Sequence, residues 1–430
     1  MWPWRSSGSD PERVSAAALF TLVLLIAAAA AFAAGRWRPD AVALLALLAL
    51  LVSGTVSLNT GLAGFGSPAL IAMAAVFVLS AGLERTGVAT RLGRRVLALA
   101  GPSELRLTVA FVLTAGLLSG VMNSIGAMAV LLPAAIAAAR EARISPSRLL
   151  LPLALGTRLG GNLTLISGPS NLIASDALVQ RGLPPFGFFE FLPVGGTFLL
   201  AGLAFIALVG RKWLPDAPLR ETPRPENLAH VHAARQRTEL APWALFSVAL
   251  LIAASTAGVS IAVATLLAAG LVVISGCVTM EEIYQAVDWR ALVFMGAILP
   301  LGMALSDTGA AASLSDAVLR ALGASKLAAL AVMLAIAIGL NQVMPSVAAT
   351  AVLAPLAIHA AAGVSANPHA YVMAVIAGTG TTFTPISNPV NLLVMGPGGY
   401  QMKDYVRIGL PLAVLLGLVS ILLIPVVWPL

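Results

Sequence analysis

A chain of 430 residues in which 59% are hydrophobic and 10% charged has too little polar surface to cover a soluble globule of its size. That composition excludes a soluble enzyme and a nucleic-acid-binding domain. It leaves an all-α polytopic membrane protein, in which the net charge of +7 reads as basic loops facing the cytoplasm. The one cysteine, Cys277, excludes an internal disulfide and a cysteine metal site.

In chain order, residues 1–13 are short and polar, and residues 14–35 form an alanine-rich apolar run with the outline of a signal peptide. Ala18-Leu19-Phe20 and Leu24-Leu25-Ile26-Ala27-Ala28 recur as Ala244-Leu245-Phe246 and Leu250-Leu251-Ile252-Ala253-Ala254, so this run has a partner later in the chain and is expected to be retained. Spans follow at 41–57 and 68–83, with mates at 261–277 and 291–305. The match continues through Ser53-Gly54 with Ser275-Gly276, Met73 with Met295, Thr86-Gly87 with Thr308-Gly309 and Met122 with Met344, which is the mark of a duplication. Between residues 85 and 104, Arg85, Arg91, Arg94 and Arg95 interleave with Val88, Leu92, Val96 and Leu97, a pattern for a helix on the membrane surface or for a solvated loop helix.

Residues 105–139 and their mate 327–362 are apolar but carry polar residues at their centres: Ser119, Asn123 and Ser124 in one, Asn341, Gln342 and Ser346 in the other. Each is two spans with a minimal turn or a re-entrant hairpin, and the placement of charges prefers the hairpin. Residues 149–175 and 368–395 then each hold an interrupted helix. Gly160-Gly161-Asn162-Leu163-Thr164-Leu165-Ile166-Ser167-Gly168-Pro169-Ser170-Asn171 aligns without a gap on Gly380-Thr381-Thr382-Phe383-Thr384-Pro385-Ile386-Ser387-Asn388-Pro389-Val390-Asn391. Glycines, prolines, hydroxyls and amides at mid-membrane depth break a helix, and paired breaks in two repeats point to a secondary transporter. Last spans are expected at 191–209 and 409–427.

Five crossings and one hairpin per half invert the second half relative to the first. Nineteen Lys and Arg residues then fall in loops on one side, against Arg5, Arg13, Arg181, Arg320 and Lys326 on the other. The richer side is cytoplasmic, both termini lie outside, and the protein is placed in the inner (plasma) membrane. The chain divides into a first repeat (1–210), a hydrophilic linker (211–240) too short to bury a core, and a second, inverted repeat (241–430). His230 and His232 in the linker have no partner ligand and read as solvated.

A broken helix exposes free N–H groups, which favour anions, and free carbonyls, which favour cations. If the hairpin tips meet the breaks, Asn123, Ser124, Asn162, Thr164, Ser167 and Asn171 line a site from one half. Ser346, Thr379, Thr381, Thr384, Ser387, Asn388 and Asn391 complete it from the other. Such a neutral, donor-rich lining suits a carboxylate or oxyanion and an oxygen-held sodium ion, although small polar residues also cap helix breaks and pack helices closely. The acidic residues, including Glu84, Glu104, Glu141, Asp176, Asp307 and Asp404, read as ends or loops, which weakens a proton-antiport reading.

These motifs resemble the divalent anion/sodium symporter family and its citrate-transporter-like permeases, over essentially the whole chain. The resemblance rests on Gly160 to Asn171, on Thr384-Pro385-Ile386 with Asn391-Leu392, and on Gly396-Pro397-Gly398-Gly399-Tyr400, Asp404-Tyr405 and Gly409-Leu410-Pro411. It implies an elevator-type carrier, commonly a homodimer, for dicarboxylates, tricarboxylates or sulfate, often with sodium and with no other cofactor. The cation ligands so implied are Ser124, Gly160, Gly161, Asn171, Ser346, Thr379 and Gly380. The hairpin tips depart from the family: Asn123-Ser124-Ile125 and Pro345-Ser346-Val347 stand where it carries Ser-Asn-Thr or Asn-Asn-Thr. Arg158, mirrored by Gly378, is the most individual residue. It is expected either to contact the anion, to stand in for a coupling cation, or to snorkel to the surface. The alternative function is a cation or proton antiporter, or an arsenite-type permease, of the same superfamily.

Overall fold

A computed structural model describes residues 16–216, 236–322, 325–385 and 388–430. The first half runs α1 (Ala16–Ala34), α2 (Pro39–Val52), the short α3 (Leu58–Ala63), α4 (Pro68–Arg85), α5 (Val88–Ala100), α6 (Glu104–Ser119), α7 (Ser124–Glu141), α8 (Ser147–Gly160), α9 (Pro169–Val179) and α10 (Leu192–Leu208). The second runs α11 (Ala241–Thr256), α12 (Ile261–Ile274), the short α13 (Met280–Ala286), α14 (Trp289–Asp307), α15 (Ala310–Leu322), α16 (Lys326–Leu340), α17 (Ser346–Gly363), α18 (Pro368–Thr379), α19 (Pro389–Met395) and α20 (Met402–Val427). The described residues are all-helical apart from turns and loops, and seven of the helices are long and apolar enough to cross a membrane.

The starts are written in local chemistry. Proline opens α2, α4, α9, α18 and α19, where its missing N–H costs nothing. Ser67, Asn367 and Asn388 cap three of these helices by accepting a backbone N–H. Two short elements escape a search for 20-residue spans. Ser57 caps α3 through the Thr60 N–H, and Thr279 with Glu282 forms a capping box on α13. The last span also starts earlier than expected, at Met402, because Gln401 and Asp404 cap it reciprocally.

Packing sorts the elements into an interior and a periphery. The broken helices lie innermost: nearly every residue of α8 and α18 is buried. Glycines set their distance from the hairpin arms, since a Cβ on Gly160 would come within 2.1 Å of the Gly116 carbonyl oxygen and one on Gly156 within 2.6 Å of that of Val112. Both contacts press α8 onto α6. Outside, Leu19, Val23 and Ile26 of α1, Leu266 and Ile274 of α12, and Leu422 and Val426 of α20 are exposed. Water would not tolerate that surface, whereas acyl chains match it.

The halves interlock at the breaks. The outer piece of the first broken helix, α9, packs on α17 and α18, while α19 packs on α7 and α8. Each hairpin tip therefore rests on a junction, α8 to α9 or α18 to α19, where one helix stops and the next begins. Pro133 and Pro355 occupy matching places inside α7 and α17, the hairpin arms that follow the tips. The arginine-rich stretch after α4 is helical, with Arg91, Arg94 and Arg95 exposed on α5.

The described ends of the linker are tied to loops of both halves. Ser147 donates to the Pro215 carbonyl and Arg148 pairs with Glu104 and, at 3.6 Å, with Asp216. At the other end Arg237 pairs with Glu282 at 2.7 Å, and its backbone N–H donates to the Arg85 carbonyl. His230 and His232 lie outside the described residues.

Candidate functional site

A cavity of about 450 Å³ opens where tips and breaks meet. At the tips and breaks the N-terminal ends of four helices border it: α7 through Asn123, Ser124 and Ile125, α9 through Gly168, Pro169 and Ser170, α17 through Pro345, Ser346 and Val347, and the short α19 through Asn388, Pro389 and Val390. Free N–H groups and the positive dipole end at each favour negative charge. The carbonyl ends of α8 and α18 border the same space through Gly161, Thr379 and Gly380. Met73, Phe77 and Phe294 close its apolar wall.

Two buried donors in this lining have no partner. Asn162 and Arg158 are each 7% exposed, and Asn162 Nδ2 and Arg158 Nη1 lack any hydrogen bond. The other guanidinium nitrogen, Nη2, donates to the Gly380 carbonyl at 3.0 Å, across to the opposite break. Arg158 therefore stays in the core and does not snorkel. An arginine at mid-depth costs about 2.5–3.5 kcal/mol on insertion scales, so one held there with a free N–H edge is a candidate for the functional site. Its mirror could not carry a side chain: a Cβ on Gly378 would lie 2.5 Å from Ala337 Cβ and 2.9 Å from the Leu334 carbonyl oxygen.

Repeated hydrogen bonds build the two sides. Thr164 Oγ1 donates to the Gly120 carbonyl at 2.6 Å, and Thr384 Oγ1 to the matching Gln342 carbonyl at 3.3 Å. Asn171 Nδ2 donates to the Thr164 carbonyl at 2.9 Å, and Asn391 Nδ2 to the Thr384 carbonyl at 3.1 Å. Across the hairpins, Ser119 and Ser124 share a bond of 2.7 Å, and Ser346 donates to Asn341 Oδ1 at 2.8 Å. These interactions recur in both halves, whereas Arg158 has no counterpart in the second.

Of the residues expected in the site, Asn123, Ser124, Arg158, Asn162, Ser346, Gly161, Ser167, Asn171, Thr379, Gly380 and Asn388 line the cavity. Thr164, Thr384 and Asn391 lie beside it, their side chains tying the unwound segments to the hairpin tips and to each other. Gly160 is the contact point with α6. Thr381 supplies a carbonyl to Asn341 and Gln342. Ser387 lies outside the described residues.

The structure adds Arg38, Asp40, Asp288 and Arg290, which line the cavity at the starts of α2 and α14. Their signal in the sequence was oppositely charged residues flanking one position, Arg38-Pro39-Asp40 and Asp288-Trp289-Arg290, at the head of a span. Asp40 pairs with Arg38 at 2.7 Å, and Asp288 caps α14 by accepting the Ala291 N–H. Asp176 is buried within α9 and bonded to Gln180, and Asp404 is buried in the first turn of α20. Neither lines the cavity.

Spans, paired breaks and a shared cavity together define a multi-pass membrane protein. The chain belongs to the citrate transporter family (CitMHS), whose sequence profile matches residues 20–378. Among curated proteins it is 36% identical over 191 residues, 44% of this chain, to the uncharacterized transporter YfbS of Escherichia coli (strain K12). It is 27% identical over 158 residues, 36% of this chain, to sodium/sulfate cotransporter 1 of Chlamydomonas reinhardtii. The matched stretches span 31% and 18% of those two proteins' lengths. The fold is shared with the YdaH transporter of Alcanivorax borkumensis, at a TM-score of 0.60 and 18% identity over 96% of this chain and 98% of that one. MtrF of Neisseria gonorrhoeae follows at 0.58 and 16% identity, covering 96% and 95%.

Proposed function

We propose that the chain is a secondary active carrier of elevator type for small divalent or trivalent anions such as dicarboxylates, citrate or sulfate, coupled to sodium. The observation that carries this reading is the pair of unpartnered buried donors, Arg158 Nη1 and Asn162 Nδ2, in a cavity bordered by helix N-termini. A compact oxyanion would satisfy both donors at once. Matched oxygens and carbonyls at the breaks supply places for the cation, and the family and its sodium/sulfate cotransporter relative favour the same class.

The second half is inverted relative to the first, with the linker in the cytoplasm and both termini outside. On that topology Arg38, Asp40, Asp288 and Arg290 put the mouth of the cavity on the cytoplasmic side, so the conformation is inward-facing. The functional unit is a homodimer in the inner (plasma) membrane, which light scattering of the purified protein in detergent would check.

Binding tests the substrate class. Succinate, citrate or sulfate should raise the melting temperature of the purified protein, while chloride at equal ionic strength should not, because a ligand that prefers the folded state stabilises it. The rise should shrink in Asn162→Ala. Equal melting in all four salts would remove the anion reading.

A further inference from the structure

Helix α5 joins the end of α4 to the start of the hairpin arm α6 and packs on both arms, α6 and α7. A connection that leaves one membrane segment and enters the next from the same side runs along the membrane face. Ala89, Gly93 and Ala100 form its inner stripe: Ala89 and Ala100 are buried, and a Cβ on Gly93 would meet Leu131 of α7 at 3.0 Å. Arg91, Arg94 and Arg95, spaced i, i+3 and i+4, are exposed on the opposite face, with Leu92 exposed at its flank. Glu104, next in the chain, pairs with Arg148 at 3.1 Å, and Glu282 holds Arg237 at 2.7 Å and Arg85 at 3.5 Å. Arg91 Nη2 donates to the Thr238 carbonyl at 3.4 Å, and Arg94 and Arg95 have no ion pair among the described residues.

The mirror helix isolates what these arginines add. In α15 the buried Ala311 and Ser315 take the places of Ala89 and Gly93, and Leu314 takes that of Leu92, at 39% exposure against 40%. Ser313, Asp316 and Ala317 stand where α5 carries Arg91, Arg94 and Arg95. Inner stripe and apolar flank are therefore common to both helices, and three like charges on one face belong to α5. Guanidiniums one turn apart repel each other, so the face gains when an anion lies against it.

We propose that this face binds anionic phospholipid headgroups. The guanidinium forks of Arg94 and Arg95, helped by Arg91, take the phosphodiester oxygens, and Leu92 enters the acyl boundary beside them. Charge selects the anion, and an exposed leucine beside cations along the membrane face selects a lipid over a soluble phosphate. Because α5 packs on both arms of the first hairpin, the bound lipid ties that hairpin to one membrane surface, a hold that α15 lacks. On the orientation proposed above, these are lipids of the cytoplasmic leaflet.

The test is melting of the full chain, purified in detergent and titrated with phosphatidylglycerol, phosphatidylcholine or inorganic phosphate. Phosphatidylglycerol should stabilise the wild type more than phosphatidylcholine does. At roughly fivefold in affinity per arginine, Arg94→Gln combined with Arg95→Gln should raise the phosphatidylglycerol concentration for half the effect about ten- to thirtyfold. The single variants, at roughly fivefold each, read the same effect if the double one does not accumulate. Arg320→Gln on α15 should leave the titration unchanged, and inorganic phosphate should act equally on wild type and double variant. Equal stabilisation by the two lipids, an undiminished phosphatidylglycerol response in the glutamine variants, or the same loss in Arg320→Gln would overturn the proposal. A phosphate response lost in the double variant would do so too, by assigning the face to a soluble anion. The readout needs no transported substrate, so it stands apart from the identity of the anion carried.

Discussion

Asn162 sits between two glycines that decide where its amide points. A Cβ on Gly195 would come within 1.8 Å of its carbonyl oxygen, a backbone clash with no exit, whereas a Cβ on Gly380 meets the end of the Asn162 side chain. Gly195→Ala should therefore abolish accumulation of folded protein. Gly380→Ala should fold but displace the amide, and with Asn162→Ala it should raise the substrate concentration for half-maximal uptake roughly ten- to hundredfold, the range expected when a hydrogen bond to a charged group is lost. Unchanged uptake kinetics in both would contradict the assignment of Nδ2 as an anion donor. Thr164→Val leaves the buried Gly120 carbonyl without its partner and should destabilise the protein by about 1–3 kcal/mol in detergent unfolding, with a smaller loss for Thr384→Val, whose bond is longer. Polar residues in an apolar run were legible as a site because bilayer depth makes them costly, and Arg158, Asn162 and Ser124 were found that way. What composition does not encode is direction. Thr164 and Asn391 are the same residue types as the cavity lining, yet they spend their donors on neighbouring carbonyls.

At the scale of elements, the breaks were readable because glycine pairs, prolines and amides have a backbone meaning of their own, and each falls where a helix ends or starts. The short α3 and α13 were not, since hydropathy over a membrane-length window averages them away. Only their caps, Ser57 with Thr60 and Thr279 with Glu282, mark them. Glu282 of α13 also joins the halves, facing Arg237 at 2.7 Å and Arg85 at 3.5 Å. Burial pushes its carboxyl up, but the Arg237 hydrogen bond and the two guanidinium charges outweigh that and hold it below the usual range. A carboxyl depressed in the folded state stabilises at pH values above its unfolded pKa, and that stability is lost as the pH falls through the folded value. Melting temperature should accordingly fall on acidification below the ordinary glutamate range, and Glu282→Gln should flatten part of that fall. Parallel pH profiles for variant and wild type would remove the junction from the stability of the fold.

For the whole molecule, the repeat was visible as runs of residue identities at a nearly constant spacing, and the helix order runs in parallel: α4 to α10 have counterparts in α14 to α20. Interdigitation was not visible, because which half packs on which depends on side-chain volumes and crossing geometry that periodicity does not carry. Lining by Arg38, Asp40, Asp288 and Arg290 is a product of that interdigitation. Topology has a direct check. Cys277 is buried and so gives a quiet thiol background. A cysteine introduced as His230→Cys in the linker should be labelled by an impermeant maleimide in inside-out vesicles and not in intact cells, and the reverse would invert the proposed orientation. The most direct measurement of all is uptake of labelled succinate, citrate and sulfate into proteoliposomes of the purified protein, with and without an inward sodium gradient. At least one of the three should accumulate, faster with the inward sodium gradient than without it, and more slowly in Asn162→Ala. No flux of any of them by a correctly inserted protein would contradict the anion carrier and leave only the fold.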